Sequence, residues 1–556
     1  MSTSTPTTGA RRNRPFSARR TSGSPRSISL GMRAGLKKVQ WIPEIGQRRI
    51  TTMVEGRNDW CISGKRLGPP PPFFLPVSGE GSGAEQGLGG KEPIPGHGWA
   101  VFSHALRSEA DQWRRGTDTM DVWFDSGSSW AGVAKAREAL SYPADLYLEG
   151  GSTHPANFFL RTEKGPYKPG APQPPFVLDE KGYKMSKSLG NTVEGGNNKN
   201  KPLRRGSLRL GFRCGLHRGD FCGGDRPKSG YLEWVSESYR KLRNTLRYLS
   251  GSLFDFDPKK DSVPYDDLPV LDKYVLGLLS SVLEEVEGAF DSFQFYKASQ
   301  ALQRFAVSDL SNFYLDGAKD RLYISSSDDL RRRSCQTVLH ALLMGMSSVM
   351  APILPHMAED VWQTLPFKPE GGETSIFQAG WATARYPQHE QEKWSRLRSL
   401  RDDVNKALEL ARGAKILGSS LEGQVFIHCS DAGMKAELQS LLGDETLKRE
   451  PERSNGVDDL RFVLMISKIS IVDAEDAVKE ASADGTVVNA ADSESGCTVG
   501  VSLAPGQKCE RCWYQCNSVS SHHDHPTLCS RCHGVVEELG IPSPPPVEAA
   551  AVAPVA

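Results

Sequence analysis

From residue 231 to about 412 the apolar positions recur with a helical period. Leu271, Tyr274, Val275, Leu278, Leu279, Val282 and Val286 follow i, i+3, i+4 spacing. Phe295, Ala298, Leu302 and Phe305 form a second stripe, and Leu397, Leu400, Val404, Leu408 and Ala411 a third. Such stripes bury one face of each helix, and with Pro352 and Pro355 as punctuation they predict a helix bundle over 231–412. The stripes are core, not a ligand site. Beyond them the period shortens to two. Residues 421–429 and 461–472, with Val425-Phe426-Ile427 and Ile469-Ser470-Ile471, alternate as strands do and predict a small α+β unit over 413–500.

Upstream the pattern is less regular. Trp41, Ile42, Ile50 and Val54 stand among charges and read as folded, whereas 67–97 is dominated by Pro and Gly and reads as a linker or insert. Residues 120–150 mix aromatic and small residues, as strands and tight loops of an α/β domain do. Residues 192–230 are crowded with Gly, Arg and Lys and have almost no apolar periodicity. The Pro/Ala-rich tail 541–556 reads as disordered.

Composition narrows the class. A chain of 556 residues exceeds one core, so roughly two to four domains are expected. A net charge of +1 gives no global field toward nucleic acid or membrane, so any basic surface is local. Mean hydropathy is −0.44, and no apolar run reaches the length of a bilayer span. Residues 1–40 hold Arg11, Arg12, Arg14, Arg19, Arg20, Arg26 and Arg33 and no acid, the composition of an organellar transit peptide or of a disordered leader over 1–37.

Five of the 11 cysteines fall between Cys509 and Cys532, which reads as a metal site in a reducing compartment rather than a disulfide framework. Cys509-x2-Cys512 and Cys529-x2-Cys532 each aim two thiolates at one centre, and together they complete a tetrahedron with no open position. The expected ion is one structural Zn2+ per chain, held in a finger over 501–540. Cys516, His522, His523 and His525 are second-choice ligands. A different chemistry is suggested by Lys184-Met185-Ser186-Lys187-Ser188, between Gly182 and Gly190. Two cations and two hydroxyls on a mobile loop suit a polyphosphate while charge builds on it. Asp121-Val-Trp-Phe-Asp-Ser-Gly-Ser-Ser-Trp130 is either a buried strand end and turn or a site where backbone approaches a ligand at Gly127. Asp145-Leu-Tyr-Leu-Glu149-Gly150, taken alone, reads first as a solvated acid at a loop start, and otherwise as a strand that presents a carboxylate at its end, where open α/β sheets bind ligands.

Together these residues resemble the class I aminoacyl-tRNA synthetases, most closely isoleucyl-tRNA synthetase of the bacterial and organellar type. Lys184 to Ser188 match the family's signature loop. Trp41 to Glu44, Asp59 to Ser63, Asp121 to Trp130 and Leu146 to Gly150 resemble its flanking segments. Tyr239 to Tyr248 resembles the opening helix of its anticodon-binding domain, and Cys509 to Trp513 with Leu528 to Cys532 its zinc unit. The resemblance implies a multidomain α/β plus all-α chain. Its parts are the second half of a Rossmann-like nucleotide fold over 38–230, an anticodon-binding bundle, a small α+β unit and a zinc finger. It implies isoleucine–tRNA ligase chemistry, with ATP as substrate and Mg2+ beside it. Lys184 and Lys187 become the catalytic lysines, Lys184, Met185, Ser186, Lys187 and Ser188 the ATP-binding loop, and Glu149 a contact of isoleucyl-adenylate. The implied partners are tRNA(Ile), isoleucine and ATP. A monomer in the cytoplasm or an organelle is expected.

The chain also departs from that pattern. A His-x-Gly-His element is absent, with Gly96-His97-Gly98 only an echo, and nearly all of the editing insert is missing. One apolar pocket separates ligands that differ by a methylene only about 10–200-fold, so proofreading is not expected. Gly64, the run Gly151 to Phe158 and residues 192–230 depart as well. Clean motifs on both sides of abrupt compositional change point to a late start and to a reading frame that slips around 151–175 and 195–230; a transcript confirming the frame as written would refute this. On that reading the chain as written does not adenylate. The competing reading is a non-catalytic tRNA- or RNA-binding module derived from the synthetase.

Overall fold

The computed structural model describes residues 231–442 and 459–542, apart from 368–370, 384 and 484, together with 130–142 and short pieces between 41 and 172. By backbone contacts the chain divides into residues 1–192 with 216–223, and 193–215 with 224–556. In the first unit the described strands are brief. Trp41–Ile42 pairs in parallel with Ala171–Pro172, Ser63–Gly64 antiparallel with Thr119–Met120, and Phe74–Pro76 antiparallel with Trp113–Arg115. The leader, residues 192–230 and most of the α/β region expected over 38–230 lie outside the described residues.

In the second unit residues 231–413 are mainly helical. Its main helices are α1 (Tyr231–Gly251), α2 (Val270–Asp291), α3 (Phe295–Arg304), α4 (Leu315–Ile324), α5 (Leu330–Met350), α6 (Pro355–Gln363) and α7 (Gln391–Gly413). All three sequence stripes face the core. Val275, Val286, Ala298, Phe305, Leu397, Leu400, Val404, Leu408 and Ala411 are fully buried. Each fully buried aliphatic side chain contributes about 1.5–3 kcal/mol, so the apolar stripes dominate the stability of the bundle.

Two features escape a simple stripe. Between α3 and α4 the chain stays helical but widens to a π-type ladder over Phe305–Tyr314. Phe305, Ala306, Leu310, Phe313 and Tyr314 are buried there, so the widened turn keeps Tyr314 inside. Helix α2 is buried on nearly every side over Leu271–Ser280 and exposes Glu284, Glu285 and Glu287 beyond it, with Leu276 and Leu283 joining the predicted stripe and Leu278 only half-buried. Gly277 lets it approach the chain before α7: a Cβ there would stand 3.0 Å from the Pro387 carbonyl oxygen.

Asp272 of α2 is fully buried and takes both Nη1 and Nη2 of Arg321 at 2.9 Å, while the Tyr314 hydroxyl donates to its Oδ1 at 2.8 Å. Burial alone would lower the Arg321 pKa, but the Asp272 carboxylate holds it well above its ordinary value. The pair ties α2 to α4 across the core.

After α7 the chain forms a three-stranded sheet in the order β2-β1-β3: β1 (Gly423–Cys429), β2 (Lys468–Ile471) and β3 (Cys497–Leu503). The middle strand β1 pairs in parallel with β2, Ile427 opposite Ile471, and antiparallel with β3, Cys429 opposite Cys497. Its buried and half-buried residues alternate along its length. Val425, Ile427, Val499 and Val501 join the same apolar core as the bundle. Gly500 is where a helix crosses the sheet: a Cβ there would run into Val478 and Ser482.

The strand expected over 461–472 is a strand only at its end. Residues Leu460–Leu464 form a short helix, α8, all buried. Asp459 starts it by accepting from the Arg461 N–H, and Met465 stops it in the left-handed conformation, φ 56°. Strand β3 also spans the 500/501 boundary drawn from sequence, so residues 501–503 belong to the sheet.

Removing one partner of the Asp272–Arg321 pair strands a buried charge. Arg321→Met is expected to destabilise the helical unit by about 3–5 kcal/mol, read as a shift of its urea-unfolding curve by circular dichroism. A shift no larger than that of an exposed arginine variant would refute the role of this pair.

Candidate functional site

The four predicted cysteine ligands meet. Cys509, Cys512, Cys529 and Cys532 are buried, and their sulfurs all lie within 4.8 Å of one another. Local structure on each side explains the convergence. Gln507–Lys508 and Gln515–Cys516 pair antiparallel and bring the ends of the first knuckle together. Inside it the Trp513 N–H donates to the Cys509 carbonyl at 2.9 Å and the Cys509 N–H to the Tyr514 carbonyl at 3.0 Å, with Trp513 left-handed at φ 67°. In the second knuckle Cys529 is the cap of helix α9 (Ser530–Glu538), and Cys532 lies in its first turn, so the helix start sets the spacing of the two sulfurs.

The geometry passes a direct test of fit. A tetrahedral ion with sulfur ligands at about 2.3 Å requires sulfurs about 3.8 Å apart. Cys512 Sγ and Cys529 Sγ are 3.8 Å apart, and the Cys529 N–H donates to Cys509 Sγ at 3.3 Å, as a backbone donor to a thiolate would. Hydrogen bonding to Cys509 brings the Cys512 thiol down to about 3. Four converging thiolates make a closed site, suited to holding structure and leaving no position for a substrate.

The second-choice ligands are not part of the converging group. Cys516 is half-buried and not among the four converging sulfurs, and hydrogen bonding to Cys512 pushes its thiol up. His522 stacks on His533 with centroids 3.9 Å apart, and His533 Nε2 lies 2.8 Å from Asp524 Oδ2.

Sequence reading missed how this unit is fastened. Arg531, between the two cysteines of the second knuckle, reaches Asp320 of α4 with Nη1–Oδ2 at 2.6 Å and Nη2–Oδ1 at 2.8 Å. Its guanidinium lies over Phe462 of α8 at 5.4 Å and Tyr514 of the first knuckle at 5.7 Å. The arginine is buried between two rings and forked onto a carboxylate, a geometry lysine cannot supply. Its placement inside a cysteine knuckle was the available signal; Asp320 gave none, being 211 residues away and flanked by other charges.

The remaining predicted site residues, Glu149 and Lys184, Met185, Ser186, Lys187 and Ser188, lie outside the described residues, as does the Asp121 run apart from Trp130.

Two family models match the chain. Residues 272–427 match the anticodon-binding domain of tRNA ligase, and residues 28–201 match class I tRNA synthetases for I, L, M and V. The bundle and the region before it are those of a class I tRNA synthetase. An isoleucine–tRNA ligase of Crocosphaera subtropica is 42% identical over 530 residues, covering 90% of this chain and 53% of its own length. The chloroplastic/mitochondrial isoleucine–tRNA ligase of Arabidopsis thaliana is 40% identical, covering 93% of this chain and 49% of its own. The chain belongs to the isoleucine–tRNA ligase family. It spans about half the length of the curated relatives it matches. A Mycobacterium tuberculosis methionyl-tRNA synthetase structure aligns over 60% of this chain and 61% of its own at 17% identity, with a TM-score of 0.41.

If Arg531 fastens the cysteine unit, Asp320→Asn removes half of the charge pair while leaving the ligands intact. Backbone amides of 505–540 should then exchange faster with deuterium while those of α5 stay protected. Unchanged exchange in 505–540 would contradict the fastening.

Proposed function

We propose that the chain carries out the work of an isoleucine–tRNA ligase: ATP-dependent activation of isoleucine to isoleucyl-adenylate, then transfer to tRNA(Ile). The observation that carries this reading is the 42% identity to an isoleucine–tRNA ligase over 90% of the chain, which spans both family-matched regions. In the first step the isoleucine carboxylate attacks the α-phosphorus of ATP and pyrophosphate leaves. Charge grows on the phosphate oxygens, so the protein's task is positioning and electrostatic stabilisation.

Lys187 binds the phosphates in this account, and Lys184 assists. Met185, Ser186 and Ser188 complete the ATP-binding loop, and Glu149 contacts the isoleucyl-adenylate. ATP enters with Mg2+. The helical domain takes the anticodon stem and loop of tRNA. Cys509, Cys512, Cys529 and Cys532 hold one structural Zn2+, which keeps the C-terminal end in shape against the RNA. The domain limits drawn from sequence serve this account with one change, the small sheet extending to 503. The protein acts as a monomer in the cytoplasm or an organelle. Among the described residues no helix is long and apolar enough to cross a membrane.

Two measurements test the reading. In isoleucine-dependent ATP–pyrophosphate exchange, the chain is assayed alone and preceded by the N-terminal part of the Crocosphaera enzyme. The extended form should exchange, and Lys187→Ala should lower its rate about a hundredfold or more, the scale of losing one charge-stabilising contact. An extended form that exchanges equally well with Lys187→Ala would overturn the assignment of the loop. Separately, the purified chain should hold one equivalent of zinc, and Cys512→Ser should lose it. Zinc bound equally by both would reject the tetrathiolate site.

A further inference from the structure

An open hollow on the helical domain is used by none of the roles above. Its walls include Asn244, Arg247 and Tyr248 of α1, Phe254 in the turn after α1, Tyr323 near the end of α4, and Arg332 of α5. Its volume of about 400 Å3 falls in the roughly 300–1,000 Å3 range of small-molecule sites.

Two of its walls are rings held out in solvent. Phe254 is 72% exposed, the most exposed large hydrophobic side chain among the described residues, and Tyr323 is 61% exposed. Leaving both outside costs burial energy that a core position would have gained. Neither ring sits on a loose turn. The neighbouring Asp255 takes Arg332 Nη1 at 2.7 Å, Arg332 Nη2 at 2.9 Å and Gln336 Nε2 at 2.8 Å, which pins the turn onto α5. The Arg332 guanidinium also lies over the Phe254 ring at 5.9 Å.

The approach to the hollow is basic. Arg240, Arg243, Asn244 and Arg247 fall at i, i+3, i+4 and i+7 along α1, which places them on one face. Arg240 and Arg243 are paired with Glu237 and Asp360 in exposed, salt-screened contacts, whereas Arg247 is exposed and has no carboxylate partner among the described residues. Exposed rings beside an unpaired arginine and an amide are the groups that bind single-stranded nucleic acid, where bases stack on aromatic faces and phosphates meet cations.

We propose that this hollow takes an unstacked base of single-stranded RNA, stacked against Phe254 and Tyr323, with Arg247 on the adjoining phosphate. The inference rests on the reading that this domain binds tRNA, and it names the surface that does so. A purely apolar partner would not need Arg247 and Asn244 at the rim.

The test is equilibrium binding of an isoleucine-tRNA transcript to the full zinc-loaded chain across a salt series. Phe254→Ala and Tyr323→Ala should each weaken binding about tenfold and leave the salt slope unchanged, because stacking is not ionic. Phe254→Trp, which keeps a face to stack on, should retain affinity. Arg247→Gln should reduce the slope of log K against log salt by about 0.7, one single-strand phosphate contact. Arg304→Gln on α3 serves as a charge control and should leave the slope unchanged. Both rings are exposed, so the truncations spare the core, and circular dichroism confirms it. If the chain binds the transcript but both alanine variants match it, the hollow is not the RNA site while the tRNA-binding reading stands. If only the alanine variants of an otherwise RNA-silent chain lose binding to a co-purifying protein, the surface belongs to a protein partner and the inference is wrong. If the unmodified chain binds no transcript, the inference falls together with the reading beneath it.

Discussion

Helix α4 carries two adjacent charges with different partners, and the orientation of the described parts depends on them. Arg321 turns inward to the fully buried Asp272 of α2, while Asp320 turns toward Arg531 of the cysteine unit. Neither pair is a cheap source of stability, because desolvation offsets most of the attraction between buried charges. Their contribution is to orientation. A planar guanidinium forked onto a carboxylate permits one relative geometry, and apolar contacts alone permit several. One short helix thereby fixes both its place in the bundle and the seat of a unit 211 residues further along the chain.

That arrangement makes sense of the cysteine unit as a structural part. The four sulfurs are closed off from solvent and leave no room for a reacting ligand. Their neighbours face outward toward the bundle instead: Arg531 and Tyr514 come from the two knuckles and close on Phe462 and Asp320. On the zinc reading proposed above, the metal that sets the knuckles also sets the arginine. Folding of the unit and its docking are then one event, as in small metal-organised domains.

Much of this was legible in the sequence, and the reason is local. The three apolar stripes at Leu271, Phe295 and Leu397 follow a period that buries one helix face whatever the partner, and all three face the core. The cysteine pairs converge because each Cys-x2-Cys turn is a local geometry. What failed depends on distant partners. Nothing near Asp272 marks it as buried, since its partner Arg321 lies 49 residues away. Residues 460–464 end in the continuous apolar run Phe462-Val463-Leu464, which suits a strand and a buried helix equally, and the helix is decided by the Asp459 cap and the left-handed Met465. Strand β3 does alternate, at Cys497, Val499, Val501 and Leu503, but its partner β1 lies about 70 residues upstream, so the pairing is not local to either segment. The phosphate-binding loop and Glu149 remain assignments by family, since they lie outside the described residues.

The central claim is that a metal-organised cysteine unit and the helical domain work as one RNA-binding body. Its most direct test compares the affinity of the chain for an isoleucine-tRNA transcript before and after zinc is stripped by a chelator. The account predicts weaker binding by the stripped chain while the helical circular-dichroism signal of the bundle persists, with affinity returning when zinc is restored. Equal affinity with and without zinc would contradict it, and would leave the helical domain to bind RNA alone.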